Sequence, residues 1–131
     1  MTIYGIGTDL LKVTRIHDAY AARGDRFALR ILGEDEFKVF QARFNRHAER
    51  GLLYLSTRFA AKEALSKAIG LGMCSPMSWR AAQFVNAPSG KPMVKLSEPL
   101  KSWCDEKKLS FHVSMTDEAE MVCAFVVAES I

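Results

Sequence analysis

The run Arg58-Phe59-Ala60-Ala61-Lys62-Glu63-Ala64-Leu65-Ser66-Lys67-Ala68 constrains the fold more than any other stretch of the chain. It reads as a helix from about Ser56 to Ile69, and Gly70 and Gly72 supply its stop. Phe59, Glu63 and Lys67 recur at i, i+4 and i+8 and so share one face. Ala60, Ala61, Ala64, Leu65 and Ala68 fill the opposite side, where small side chains allow close packing. A solvated Glu–Lys pair worth about 0.2–0.5 kcal/mol would account for the spacing by itself. The few charges on an alanine-rich helix make Glu63 and Lys67 candidates for chemistry as well.

A second feature precedes it. Gly5-Ile6-Gly7-Thr8-Asp9 follows a strand expected over Thr2 to Gly7, and its glycines let the backbone approach another element or a ligand closely. Asp9 then stands at a strand end, where an aspartate is either a turn cap or one carboxylate of a hard-cation site. Mg²⁺ takes one or two carboxylates and completes its shell with water and phosphate oxygens. Asp9 with Glu63 would meet that need, leaving Lys67 for a phosphate.

The remaining chain sorts into early helices and late strands. Thr14 is a suitable N-cap for a helix over Arg15–Ala22, Gly24 ends it in a left-handed turn, and Asp25 caps Arg26–Leu32. Phe37, Phe40 and Phe44 mark a helix over Glu34–Arg46, their stripe facing the core. Gln83–Asn86 and Pro92–Leu96 read as strands around the turn Ala87-Pro88-Ser89-Gly90-Lys91. A surface helix over Glu98–Lys107 follows, then strands Ser110–Met115 and Met121–Ala128 joined by the polar Thr116-Asp117-Glu118-Ala119-Glu120. This order predicts an α+β class with an antiparallel-rich sheet, as one domain over 1–131.

Composition narrows the function classes. A chain of 131 residues, 49% apolar, can bury a core without disulfides. The three cysteines, Cys74, Cys104 and Cys123, have no C-x-x-C spacing, which argues against a disulfide framework or a zinc site and places Cys123 packed in a strand. No apolar run approaches the roughly 18 residues of a membrane span, and no secretory signal is evident, so a cytoplasmic location without membrane contact is expected. A net charge of +3 does not point to nucleic acid. Locally, however, Lys12, Arg15, Arg23, Arg26 and Arg30 face only Asp18 and Asp25, a basic stretch suited to an acidic partner. His112 shares a strand face with Ser114, but i, i+2 placement does not activate a hydroxyl, and His17 and His47 sit in charged surroundings.

Taken in order, Gly5-Ile6-Gly7-Thr8-Asp9, Arg58-Phe59-Ala60-Ala61-Lys62-Glu63-Ala64, Gly90-Lys91-Pro92 and His112-Val113-Ser114 resemble the signature of the holo-(acyl-carrier-protein) synthases, the small 4′-phosphopantetheinyl transferases. The resemblance covers essentially the whole chain. It implies the 4′-phosphopantetheinyl transferase fold and transfer of 4′-phosphopantetheine from coenzyme A to a serine of apo-acyl carrier protein, in support of fatty acid biosynthesis. It also implies Mg²⁺ on Asp9 and Glu63, with Asp9, Glu63 and Lys67 as catalytic residues. Lys62, Ser66, Lys67, Gly90, Lys91, Pro92 and His112 become the coenzyme contacts. Arg15, Arg26, Phe27 and Arg30 become the carrier-protein face, and a homotrimer with sites at the subunit clefts is implied. The serine proton would pass either to Glu63 or to a water on the metal. Three segments depart from the pattern: Lys12-Val13-Thr14-Arg15 lacks an acidic residue, Met115-Thr116-Asp117 lacks a second histidine, and Ser75-Pro76-Met77-Ser78-Trp79 is atypical. The rival readings are a non-enzymatic nucleotide- or carrier-binding module, and a scaffold in which Glu63 and Lys67 are structural.

Overall fold

The structure, a computed structural model, describes all residues from Met1 to Ile131. Ten elements follow in order: β1 (Thr2–Lys12), α1 (Val13–Arg23), α2 (Asp25–Ile31), α3 (Glu34–Arg46), α4 (Ala48–Ile69), β2 (Ala82–Asn86), β3 (Pro92–Leu96), α5 (Leu100–Glu106), β4 (Leu109–Glu118) and β5 (Met121–Ser130). The strands form a three-stranded antiparallel sheet in the order β1-β5-β4 and a separate β2-β3 hairpin. The α+β class read from the sequence is the class observed. No helix is long and apolar enough to cross a membrane.

The alanine face of α4 packs against the larger sheet. Along β5, Val122, Ala124, Val126 and Ala128 are buried toward the helix, whereas Phe125 is exposed on the other face. Ala60, Ala61, Ala64, Leu65 and Ala68 are buried as well, as their spacing predicts. On β1, a Cβ added to Gly5 would collide with the Ala68 carbonyl oxygen, and one added to Gly7 with that of Ala64. The two glycines therefore serve close approach of strand and helix backbone, which the sequence had left open between a neighbouring element and a ligand.

Several boundaries differ from the expectations, each for a tertiary reason. β1 continues to Lys12 because its second half pairs with β5, so Asp9, opposite Ala124, lies inside the strand. α1 begins at Val13 with Lys12 at the N-cap, and Thr14 caps nothing. Val13 N–H instead donates to Glu120 O at 2.8 Å, so the β4–β5 turn completes the helix end. Asp25 is the first residue of α2, and it accepts a 2.7 Å hydrogen bond from the Tyr20 hydroxyl. The hairpin between β4 and β5 is tight, since both strands run on to Glu118 and Met121. α4 starts eight residues before Ser56, at Ala48, and buries side chains on nearly every side.

Candidate active site

The catalytic candidates meet on the flank of α4 that faces β1. Alternation along β1 turns Asp9 to the same sheet face as buried Leu11, toward the helix. Lys67 does not pair with Glu63 along its own helix. Its ammonium reaches β1, donating to Thr8 O at 2.9 Å and lying 3.6 Å from Asp9 Oδ1. The Lys67 side chain keeps 55% exposure and Asp9 17%, so the ammonium faces solvent beside a mostly covered carboxylate. Burial pushes the Glu63 carboxyl above its usual range and the nearby Asp9 carboxylate adds to this, against the opposing pull of Lys67 and Arg15. Asp9 and Glu63 are partly buried and Lys67 and Arg15 exposed, and the charges of Asp9, Lys67 and Arg15 all act on Glu63.

A second feature, absent from the sequence reading, occupies the opposite flank. Arg43 and Arg46 from the end of α3, and Arg50 and Arg58 from α4, line an open cavity of about 1000 Å³, with Asn86, Pro92 and Asp117 on its other walls. Arg58 is buried and fixed: its Nε donates to Phe84 O at 3.1 Å, its Nη1 to Thr57 Oγ1 at 3.2 Å, and its guanidinium lies 4.1 Å from the Tyr54 ring centre. Arg43 approaches the same ring at 4.9 Å. Arg46 and Arg50 remain exposed, their charge available to an anion. The signal in the sequence was the recurrence of arginine at 43, 46, 50 and 58, spread over a helix boundary that the pattern did not show.

A profile of the 4′-phosphopantetheinyl transferase superfamily matches residues 5–126. The chain belongs to that superfamily. It is 55% identical over 127 residues to the holo-[acyl-carrier-protein] synthase of Herminiimonas arsenicoxydans, covering 97% of this chain and 98% of that one. Its fold superposes on the crystal structure of the Neisseria meningitidis holo-[acyl-carrier-protein] synthase with a TM-score of 0.88, at 40% identity over 98% and 99% of the two chains. The Bacillus anthracis synthase, solved in complex with CoA (3′,5′-ADP), gives a TM-score of 0.82 at 32% identity with all of both chains covered.

Within this phosphopantetheinyl transferase, the residues expected at the coenzyme site do not all lie together. Gly90 makes the positive-φ turn (φ 89°) between β2 and β3, Lys91 is exposed beside it, and Pro92 lines the arginine cavity. Ser66 is buried and donates its hydroxyl proton to Glu63 O at 2.7 Å, so it presents no free donor to a ligand. His112 lies on the outward face of β4, its Nε2 3.2 Å from Glu129 Oε1, across the sheet from Asp9.

Two assignments are corrected outright. Lys62 is 0% exposed, and its ammonium spends all three donors inside the protein: on Glu36 Oε1 at 2.6 Å, Ile31 O at 2.7 Å and Trp79 O at 2.8 Å. Burial lowers its pKa, with Glu36 opposing. No proton remains for a phosphate. Phe27 is likewise buried, its ring 6.4 Å from Phe59, which in turn stacks on Trp79 at 4.6 Å. Arg15, Arg26 and Arg30 are exposed as expected, and the apolar residue displayed between the last two is Leu29, 43% exposed.

Proposed function

We propose that the chain transfers 4′-phosphopantetheine from coenzyme A to a serine hydroxyl of apo-acyl carrier protein, releasing 3′,5′-ADP, as a holo-(acyl-carrier-protein) synthase. The observation that carries this reading is the pairing of an Asp–Glu–Lys cluster on one flank of α4 with a four-arginine cavity on the other. An acidic cluster suits a pyrophosphate held through a cation, and an arginine-lined cavity suits the phosphorylated nucleotide end. The relatives' printed names and the CoA (3′,5′-ADP) complex of the Bacillus anthracis protein supply the substrate class.

Asp9 and Glu63 fit Mg²⁺: two neighbouring carboxylates, one with its pKa raised by burial and by the other, form a site a small divalent cation would relieve. When bound, the ion would neutralise the pyrophosphate and favour the charge that builds on it during transfer. Lys67, tethered by Thr8 O, holds its exposed ammonium beside Asp9 for a phosphate oxygen. As the serine oxygen bonds to the pantetheine-side phosphorus, the bond to the 3′,5′-ADP oxygen breaks and the serine proton must leave. A carboxylate engaged by a divalent cation is a poor base, so the proton would leave through a water beside Asp9 and Glu63 rather than to Glu63 directly.

At about 100° per residue, Glu63 points about 140° away from Arg58 and about 180° away from Tyr54. The helix stands between the two half-sites, so one coenzyme molecule reaches both only if two copies supply one half each. The outward sheet face offers the means of association, because Ile6, Leu10 and Phe125 are exposed there together. A homotrimer closed through this face would pair the Glu63 flank of one copy with the arginine flank of the next, and bring His112 to the cleft. The basic face of Arg15, Arg26, Leu29 and Arg30 would receive the acidic carrier protein. Three unpaired thiols fit a reducing cytoplasm.

The test is direct. The protein is incubated with coenzyme A, Mg²⁺ and apo-acyl carrier protein, and the carrier is weighed by intact-mass spectrometry. A gain of one phosphopantetheine group is expected. An unchanged carrier mass with coenzyme bound would favour a binding module.

A further inference from the structure

The buried charges of this molecule form a closed ring through the back of α4. Lys62 Nζ donates to Glu36 Oε1 at 2.6 Å, and the same oxygen accepts Gly33 N–H at 2.9 Å. Glu36 Oε2 accepts Phe84 N–H at 2.8 Å, and Phe84 O accepts Arg58 Nε–H at 3.1 Å. The path leaves α4 at Lys62, crosses α3 and β2, and returns to α4 one turn earlier at Arg58. Lys62 adds Ile31 O at the end of α2 and Trp79 O before β2.

A buried ion pair of this kind is a poor source of stability, because desolvating two charges offsets most of their attraction. It is a strong source of direction, since a single geometry satisfies every donor and acceptor. No buried side-chain polar atom is left without a partner. A small turn of the helix would carry Glu63 and Lys67 off β1 on one flank and Arg58 off its cavity wall on the other.

We propose that Glu36 and Lys62 are positioning residues that fix the rotation and register of α4, and thereby align the Glu63–Lys67 flank and the Arg58 flank at once. This rests on the reading of those flanks as the transferase site. Neither residue touches substrate, since both side chains are fully buried.

The test compares wild type with Lys62→Met, with the double variant Glu36→Gln/Lys62→Met, and with Leu100→Ala. The last removes a buried side chain from α5, away from the ring. Folded fraction is measured by circular dichroism, and kcat and coenzyme KM are taken per folded molecule. Removing one charge leaves its partner buried and unpaired, whereas neutralising both removes that penalty and leaves only neutral hydrogen bonds unmade, at Gly33 or Phe84 N–H and at Ile31 and Trp79 O. The double variant is therefore expected to fold yet to lose kcat and gain coenzyme KM, by roughly tenfold to a hundredfold in combination. Leu100→Ala is expected to lose stability while both constants stay at wild type. Three results overturn the inference: a folded double variant with wild-type constants, equal losses in Leu100→Ala, or a double variant that does not fold, which would make the pair a requirement of folding. An inactive wild type would instead count against the proposed function.

Discussion

Replacing Gly7 by alanine strikes the contact that brings strand and helix together. A Cβ at this position overlaps the Ala64 carbonyl oxygen and lies 2.8 Å from Ala68 N and 2.9 Å from the Ala64 carbonyl carbon. Comfortable carbon contacts need roughly 3.5 Å, so α4 must retreat by about 1 Å or β1 must bend away. All three atoms belong to helix backbone, and no side chain can turn aside to make room. Overpacking of this kind costs about 1–3 kcal/mol. For a chain of this length that is a fall in Tm of about 3–12 °C.

Activity should suffer more than stability does. Asp9 lies two residues beyond Gly7, while Glu63 and Lys67 flank Ala64 and Ala68 on the helix. A relative shift of about 1 Å between groups that must act together is enough for a roughly hundredfold loss of rate. Thermal denaturation gives the first quantity, and carrier-protein modification measured well below the variant's Tm gives the second. Gly33→Ala is the matched control, because the atoms nearest its added Cβ all belong to the Gln83 side chain. Truncating Gln83 should relieve that overlap, whereas no side-chain truncation should rescue Gly7→Ala. A Gly7→Ala protein with wild-type Tm and rate would refute the close-approach argument.

Three further outcomes are expected. Glu63→Gln should abolish transfer without loss of stability: the raised pKa means the folded state binds the proton more tightly than the unfolded chain, so wild-type stability falls as pH rises from the ordinary glutamate range through the folded value. The Tm advantage of the variant should therefore be larger at neutral pH than in acid, and a variant less stable at neutral pH would contradict this. Arg26→Glu or Arg30→Glu should raise the carrier-protein KM and flatten its salt dependence while the coenzyme KM stays constant, because exposed charges act mainly on encounter; an unchanged carrier KM at low salt argues against this face. Gln83→Ala should cost about 1 kcal/mol, a cap's worth, since Gln83 Oε1 accepts Asp35 N–H at 2.9 Å and Glu36 N–H at 3.1 Å at the start of α3; denaturant unfolding reads it, and no loss would mean that water replaces the cap.

What the sequence made legible was whatever local spacing controls. The alanine face of α4, its glycine stop and the β2–β3 turn all follow from residue type and periodicity. What escaped it depended on contacts remote in sequence. Two lysines near Glu63 look alike along the chain, yet at about 100° per residue Lys62 and Lys67 point about 140° apart, and packing against α3 decides which one is buried. Phe27 and Leu29 are both apolar on a basic helix, but only the position of Phe59 tells which is displayed. The start of α4 carries no mark in the sequence, because burial at Gly51, Leu52, Tyr54 and Leu55 leaves no polar stripe, and so the arginines at the α3–α4 elbow do not group along the chain. Strand alternation put His112 beside Ser114, but only the sheet register sets it on the face opposite Asp9.

The most direct measurement asks whether the two flanks of α4 serve one coenzyme. Glu63→Gln lacks the carboxylate half, and Arg46→Ala/Arg50→Ala lacks exposed cations of the cavity half. Each protein is expected to transfer phosphopantetheine poorly alone. Mixed after dissociation and reassembled, they should recover activity, because some interfaces then join an intact Glu63 flank to an intact arginine flank. Mixtures that reassemble yet remain as inactive as their parents would contradict a site shared between copies.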